Sequence, residues 1–160
     1  NAMSGDCVNM SLGGGASDIL DAAVNVAAES SGAYFALAAG NSGVDAQNHS
    51  PARVGGISDT DNIFTIAAIA EAVDEDTQEK MLSWSNYGDA VEYAAPGVSI
   101  FSLWKDGGTK TISGTSMAAP HACAVLMLKG IDVTSDGDAV EPKDHEIEDV
   151  DYPIIHTGGV

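Results

Sequence analysis

The sequence predicts an α/β fold with a mostly parallel sheet, and three observations support this prediction. Two runs, 34–39 (YFALAA) and 63–70 (IFTIAAIA), are apolar on both faces, with Thr65 as the one polar residue. Such runs are typical of strands that are covered on both faces of a parallel sheet. Helical patterns precede the first run and end the apolar part of the chain. The resulting order of strand, helix, strand, loop, strand and helix is that of an α/β domain.

The first half of the chain supplies a strand, a helix and the two buried strands. A partly apolar strand over 7–12 ends at three glycines, and Ser17 or Asp18 then caps a helix. The helix stops at 30–32 (SSG) because serines and glycine end helices readily. The residues predicted to form its apolar face are Ile19, Leu20, Ala23, Val24 and Ala27.

The second half supplies a short strand and a second helix. The strand covers 98–102, after Pro96 and Gly97. The segment 113–116 (SGTS) opens a helix whose body covers 117–129, with a proline in its first turns, where a missing N–H is tolerated. Beyond it, the tail from about 130 holds 9 of the 24 acidic residues, with short extended pieces at 147 and 152–155.

Composition excludes several classes of protein. With 160 residues, 44% hydrophobic residues and a mean hydropathy of +0.03, the chain has enough apolar matter for one folded domain. No apolar run reaches the roughly 18 residues that a membrane-spanning helix needs. The net charge of −18 disfavours binding to nucleic acid or to anionic membranes. We therefore predict one domain over 4–160 and interpret 1–3 as residues left by tag removal plus an initiator methionine.

The two cysteines leave two states open. Cys7 and Cys123 each lie in an apolar stretch, which suits buried free thiols that act as small hydrophobic side chains. A disulfide between them requires a geometry that sequence alone does not provide.

The segment 114–121 (GTSMAAPH) is the strongest candidate for catalytic chemistry. Ser116 follows a glycine at the first turn of a helix, where free backbone N–H groups and the helix dipole favour an oxyanion. The plainer interpretation is that Ser116 only caps the helix. Ala118 stands where the α/β-hydrolase motif G-x-S-x-G has its last glycine, and this disfavours an esterase of that type.

Two further segments end predicted strands. Asn41, within 38–43 (AAGNSG), follows a buried strand at the edge of the sheet where ligands bind, and its amide can donate to an oxyanion. Its alternative is an ordinary Asn-Ser-Gly turn. In 9–14 (NMSLGG), the glycines let an extended peptide lie against the backbone.

In this order, the three segments resemble those of the subtilisin-like serine proteases, the subtilases, from about Val8 to about Leu128. The segments 83–88 (SWSNYG) and 95–100 (APGVSI) are also similar to that family. The resemblance implies a three-layer subtilisin-like half domain whose sheet is truncated before the strand at Cys7. It also implies a serine endopeptidase that forms an acyl-enzyme.

The resemblance implies a role for each matching residue. Ser116 is the nucleophile, and its backbone N–H and the Asn41 side chain are the oxyanion donors. The Thr115 hydroxyl supports them. The residues expected to bind substrate are Ser11, Leu12 and Gly13 along the groove, and Ala39 and Gly40 beside the pocket for the residue before the scissile bond.

The family also places an Asp and a His before these segments, and this sequence has no matching Asp-Thr-Gly, Asp-Ser-Gly or His-Gly-Thr-His segment. His121 belongs to the nucleophile motif as a packing residue, and the other histidines are interpreted as solvent-facing: His49, His145 and His156. Because a serine without a base is a weak nucleophile, the chain alone is expected to be inactive.

Two explanations for the missing Asp and His segments stay open. The chain is either a piece of a longer subtilase or a naturally short protein. The alternative function is a non-catalytic module that binds peptides or assembles with other chains. Whether any histidine reaches Ser116 discriminates between protease and module. A strand over 7–11 without a neighbour is an apolar edge, which predicts a homodimer or larger assembly that light scattering would detect.

The resemblance also implies partners, location and a cofactor. The expected partners are a peptide or protein substrate and the missing N-terminal half of the domain, and the expected location is outside the cell. Calcium is possible at 59–62 or 136–138, although neither run has a full ligand spacing and solvated turns are the plainer interpretation.

Overall fold

The computed structural model describes residues 1–58, 60–71, 78–139, 142 and 150–157. These residues form two α-helices, α1 over Asp18–Ser31 and α2 over Thr115–Lys129. Short 3-10 helices cover Ala46–Asn48, Ala52–Ile57 and Lys105–Gly107. The strands are β1 (Cys7–Met10), β2 (Gly14–Gly15), β3 (Tyr34–Ala38), β4 (His49–Ser50), β5 (Ile63–Ala70), β6 (Lys80–Met81), β7 (Tyr93–Pro96), β8 (Ile100–Leu103), β9 (Thr109–Ile112), β10 (Thr134–Asp138) and β11 (Pro153–His156).

The main sheet has the order β1-β3-β5-β7-β11-β10, and β6 pairs with the end of β5. The neighbours from β1 to β11 are parallel, whereas β10 and β6 are antiparallel to their partners. This architecture confirms the α/β prediction with a mostly parallel sheet. Among the described residues, β1 has β3 as its sheet neighbour and nothing on its other side.

The helices cover opposite faces of the sheet, which makes three layers. Alternate residues of β3 point to different clusters: Leu37 packs with Val24 and Ala28 of α1, and Ala36 packs with Ala122 of α2. Both faces of the central strands are therefore buried and shielded from solvent. This explains why the runs that form β3 and β5 are apolar without alternation.

Helix α1 begins and ends as its sequence predicts but buries a different face. The Ser17 hydroxyl accepts a hydrogen bond from the Leu20 N–H at 3.4 Å, and Gly32 ends the helix with a φ of +65°. The predicted apolar face is wrong at three exposed positions: Ile19, which is 86% exposed, Ala23 and Ala27. Asp21, which is 8% exposed, lies on the buried face instead.

An ion pair explains the buried carboxylate. The Arg53 guanidinium, on the 3-10 helix beside α1, donates to Asp21 Oδ2 at 2.5 Å and to the exposed Asp18 at 2.5 Å. A charge that leaves water is tolerated when it is paired in this way. The buried face of α1 thus includes a paired carboxylate, which an apolar pattern does not mark.

The acidic tail adds two strands to the outer edge of the sheet. Strand β11 matches the predicted piece at 152–155, and β10 pairs with it in antiparallel fashion. Tyr152 is fully buried, and its hydroxyl accepts from the Gly88 N–H at 2.9 Å. The predicted piece at 147 lies outside the described residues.

Two elements differ slightly in their bounds from the predictions. The short strand, predicted over 98–102, is β8 and pairs with β9 as a hairpin. Helix α2 starts at Thr115, two residues before the predicted start of its body.

Cys7 on β1 and Cys123 on α2 are free thiols that contribute to one hydrophobic cluster. Of the two states left open by the sequence, the structure has the reduced one. The Cys123 thiol beside it and burial both raise the pKa of the Cys7 thiol.

In the part of the chain that the structure describes, neither helix has the length and apolar character needed to cross a bilayer.

Glu92, just before β7, makes the stability of the fold depend on pH. Its carboxylate accepts from the Thr65 N–H at 2.6 Å, and burial raises its pKa from 4.5 to about 8. A carboxyl with a raised pKa gives stability that is fully present below about pH 4.5 and lost as the pH rises through about 8. This rise in pKa corresponds to a decrease of at most about 5 kcal/mol in the free energy of unfolding. The actual decrease is smaller, because the side chain is partly exposed to solvent.

We therefore expect the urea concentration at the unfolding midpoint to decrease as the pH rises from 5 to 9. The variant Glu92→Gln should remove most of this decrease. Glu29→Gln, at an exposed position of α1, is the matched control and keeps the wild-type dependence. If the urea midpoint decreases with pH equally in Glu92→Gln and in wild type, the pH dependence of stability arises from other groups.

Candidate active site

Ser116 lies in the first turn of α2, at the carboxyl ends of β1 and β3. Gly114 precedes the helix with a φ of +156°, in the region that favours glycine. The Met117 N–H donates to the Gly114 carbonyl at 2.9 Å, whereas the Ser116 N–H has no acceptor among the described residues. The turn therefore presents a free backbone donor beside a serine hydroxyl, at the positive end of the helix dipole.

Asn41 is held so that one side of its amide is engaged and the other is free. Its Oδ1 accepts from the Thr115 N–H at 2.8 Å and from the Thr115 hydroxyl at 3.0 Å. The Thr115 hydroxyl in turn accepts from the Gly40 N–H at 3.1 Å, and Thr115 is fully buried. Within the described part of the chain the Asn41 Nδ2 has no acceptor, so it is free to donate.

Asn86 shapes the turn that carries Asn41. Its buried side chain donates to the Ala39 carbonyl at 2.9 Å and accepts from the Ser42 and Val44 N–H groups at 3.0 and 3.3 Å. A Cβ on Gly40 would stand 2.4 Å from the Asn86 Nδ2, and Gly40 has a φ of +109°. Glycine is thus required at position 40 by both space and backbone conformation.

A bond that spans the chain fixes the nucleophile turn from the other side. Pro120 stands four residues after Ser116 and has no N–H, so the Ser116 carbonyl lacks its usual helical donor. The Ser11 hydroxyl supplies one at 2.7 Å. Ser11, expected to bind substrate, therefore also positions the nucleophile turn.

One open cavity of about 560 Å³ collects the predicted site residues. Its walls are the turn after β1, the end of β3 and the start of α2. All eight residues proposed from the sequence line it: Ser11, Leu12, Gly13, Ala39, Gly40, Asn41, Thr115 and Ser116. Three further lining residues belong to the predicted segments but had no assigned role: Gly14, Ala38 and Ser42. The sequence did not indicate the others: Gly15, His49, Ser50 and Ala52.

The histidines are placed differently from the expectation. His49, expected to face solvent, is partly buried on β4 and lines the cavity, because β4 pairs with β2 at Gly15. His156 is partly buried on β11, and His145 lies outside the described residues. The exposed His121 hydrogen-bonds through Nδ1 with the Met117 carbonyl at 2.7 Å and lines a different cavity.

The Ser116 hydroxyl has no base in the described part of the chain. No described side chain forms a hydrogen bond with its Oγ, and His49 is the one ionisable residue that lines the cavity. What this arrangement offers chemically is a serine, two free donors and an extended groove, without the group that would deprotonate the serine.

The described residues hold no group of three or more His, Cys, Asp or Glu side chains placed to bind a metal ion. Of the runs considered for calcium, Asp59 and the side chain of Asp136 lie outside what the structure describes.

Comparison with known proteins agrees with this geometry. Residues 3–129 match the family model described as the subtilase family. The chain is 48% identical over 128 residues to the alkaline serine exoprotease A of Vibrio alginolyticus, covering 80% of this chain and 22% of that protein. It is 42% identical over 136 residues to the subtilisin-like protease 9 of Arthroderma otae, covering 82% of this chain and 30% of that protein.

Solved structures give the same result. A cold adapted subtilisin-like serine proteinase matches with a TM-score of 0.68 and 48% identity, over 80% of this chain and 42% of that one. A psychrophilic protease named S41 matches with a TM-score of 0.70 and 25% identity, over 93% of this chain and 55% of that one. The chain thus spans about a fifth to a half of the proteins it resembles.

Proposed function

The chain belongs to the subtilase family, and we propose that it is the nucleophile-bearing part of a serine endopeptidase. Ser116 attacks the carbonyl carbon of the scissile peptide bond, the amine leaves, and water then hydrolyses the acyl-enzyme. The observation that carries this proposal is the pair of free donors, the Ser116 N–H and the Asn41 Nδ2, in one cavity with the Ser116 hydroxyl.

These donors suit the charge that develops in the reaction. The carbonyl oxygen becomes an oxyanion in the tetrahedral intermediate, and preorganised donors stabilise it without having to reorient. The Asn41 amide is already oriented by Thr115, which is itself buried and bonded to Gly40. The positioning of this donor therefore does not depend on bound substrate.

The groove suits an extended peptide. The backbone of Ser11–Gly13 continues from β1 into the cavity, and the glycines that follow leave room for another backbone to approach. Substrate then adds to this segment as a strand, with its side chains pointing alternately into the cavity and away from it.

The base and its carboxylate partner come from another part of the complete protein in this proposal. The free edge of β1, which has no neighbour on its outer side among the described residues, offers the place where such a segment pairs. The isolated chain is then inactive, because the oxyanion donors alone give only slow catalysis. We also propose that the protein acts outside the cell, which fits the name of one relative, an alkaline serine exoprotease.

A fluorophosphonate probe tests the proposal, since it reacts with serine hydroxyls that a base activates. We expect rapid labelling of Ser116, located by mass spectrometry, in the longer protein that contains residues 3–129. The isolated 160-residue chain should label at a rate near that of free serine.

The alternative, a non-catalytic module that binds peptides, is favoured by the absence of a base on the Ser116 hydroxyl in the described residues. Slow labelling in both proteins, together with saturable binding of peptides to the groove, would replace the protease with that module.

A further inference from the structure

The cavity beside Ser116 is lined mainly by uncharged residues. About half of its lining residues are alanines and glycines, from β2, the end of β3 and the turns around them. Among the described residues, the imidazole of His49 is its one ionisable side chain. It enters from β4, whose pairing places His49 opposite Gly15.

The two nitrogens of this imidazole are in different environments. Nδ1 is buried and has no hydrogen-bond partner among the described residues, although the residue as a whole is partly exposed and lines the cavity. A proton on Nδ1 would be a buried donor without an acceptor, which is costly. The tautomer that avoids this cost carries its proton on Nε2, which leaves an N–H donor on the part of the ring that the cavity reaches.

Three other hydroxyls of the cavity, on Ser50, Ser11 and Thr115, are already engaged. The Ser50 hydroxyl accepts from the Ser17 N–H at 2.8 Å. The Ser11 hydroxyl donates to the Ser116 carbonyl, and the Thr115 hydroxyl donates to Asn41. His49 therefore brings a side-chain donor that neither the fold nor the proposed chemistry uses.

Resting on the proposed function, we infer that His49 makes this protease select substrates with an uncharged oxygen acceptor in the side chain before the scissile bond. Glutamine is the preferred residue, since its amide oxygen extends further than the amide oxygen of asparagine or the hydroxyl of serine and threonine. Glutamate is less favoured, because the net charge of −18 opposes a carboxylate in an open cavity. A site that offers an unpaired donor discriminates against an isostere without the acceptor.

The test uses the complete protease and peptides that differ only before the scissile bond. Glutamine and methionine are the matched pair, since their side chains have similar length and only glutamine has an oxygen. We expect wild type to have a higher kcat/KM for the glutamine peptide. The glutamine-to-methionine ratio should fall about tenfold in His49→Phe, which keeps a ring and loses the donor. His49→Asn, which restores an N–H donor, should regain part of the preference.

The outcomes separate this inference from the proposed function. If both peptides are cleaved and the ratio is the same in wild type and in His49→Phe, the inference is overturned and the protease stands. If neither peptide is cleaved by wild type, the proposed function fails and the inference with it. Should His49→Phe not fold by circular dichroism, the smaller His49→Leu provides the same comparison.

Discussion

Replacing Ser116 with alanine in the complete protease is expected to reduce kcat for peptide hydrolysis by at least about 10³-fold. The substitution removes the atom that forms the acyl-enzyme and leaves the groove and both oxyanion donors in place. KM should change little, because the groove residues proposed to bind substrate are unchanged in this variant. Initial rates with one fluorogenic peptide, measured at equal concentrations of folded protein, give the comparison.

Ser30→Ala is the matched control for this variant. Ser30 is an exposed serine near the end of α1 whose hydroxyl bonds only to the Ala27 carbonyl in the described structure. It should retain wild-type activity. A Ser116→Ala protein with more than a few per cent of wild-type kcat would show that another residue is the nucleophile.

Replacing Asn41 with aspartate is expected to reduce kcat by about 10²- to 10³-fold, the usual range for the loss of one oxyanion donor in a serine protease. Aspartate keeps an oxygen where Oδ1 accepts both hydrogen bonds from Thr115. It replaces the free Nδ2 with a charged oxygen that repels the oxyanion. The thermal midpoint should therefore stay near that of wild type while catalysis is lost.

Asn41→Ala separates the two roles of this side chain. It loses the same donor, and it also leaves the N–H of the buried Thr115 without its acceptor. Its kcat should fall to a similar extent and its thermal midpoint should fall as well. Equal kcat values for Asn41→Asp and wild type would exclude Asn41 as an oxyanion donor.

Much of the site was predictable because it follows from local patterns. Glycines after apolar strands marked the turns at Gly13 and Gly40, and the serine after Gly114 marked the start of α2. Carboxyl ends of parallel strands meet at one edge of a sheet, so segments far apart in the sequence converge there. The structure brings these segments to a single cavity.

The unpredicted part depends on partners that have no periodic signal. The prediction for the buried face of α1 left out Asp21, because the partner of this carboxylate, Arg53, lies 32 residues away. Asn86 holds the turn around Asn41 through hydrogen bonds to backbone groups that lie more than 40 residues earlier in the chain. One signal was available: Pro120 leaves the Ser116 carbonyl without a helical donor, which requires a substitute such as Ser11.

The span of these bonds along the chain determines when the site forms during folding. The bond from Ser11 to the Ser116 carbonyl joins residues 105 apart, and the bond from Asn41 to Thr115 joins residues 74 apart. Closing such long loops has an entropic cost that must be met before the contacts return any stability, and folds dominated by them form slowly. We therefore expect the serine turn to form late, after the more local pairing of β3 with β5. A ribosome-bound chain that ends before α2 lacks Thr115 and Ser116, so the proposed oxyanion site cannot form until α2 has been made and has docked.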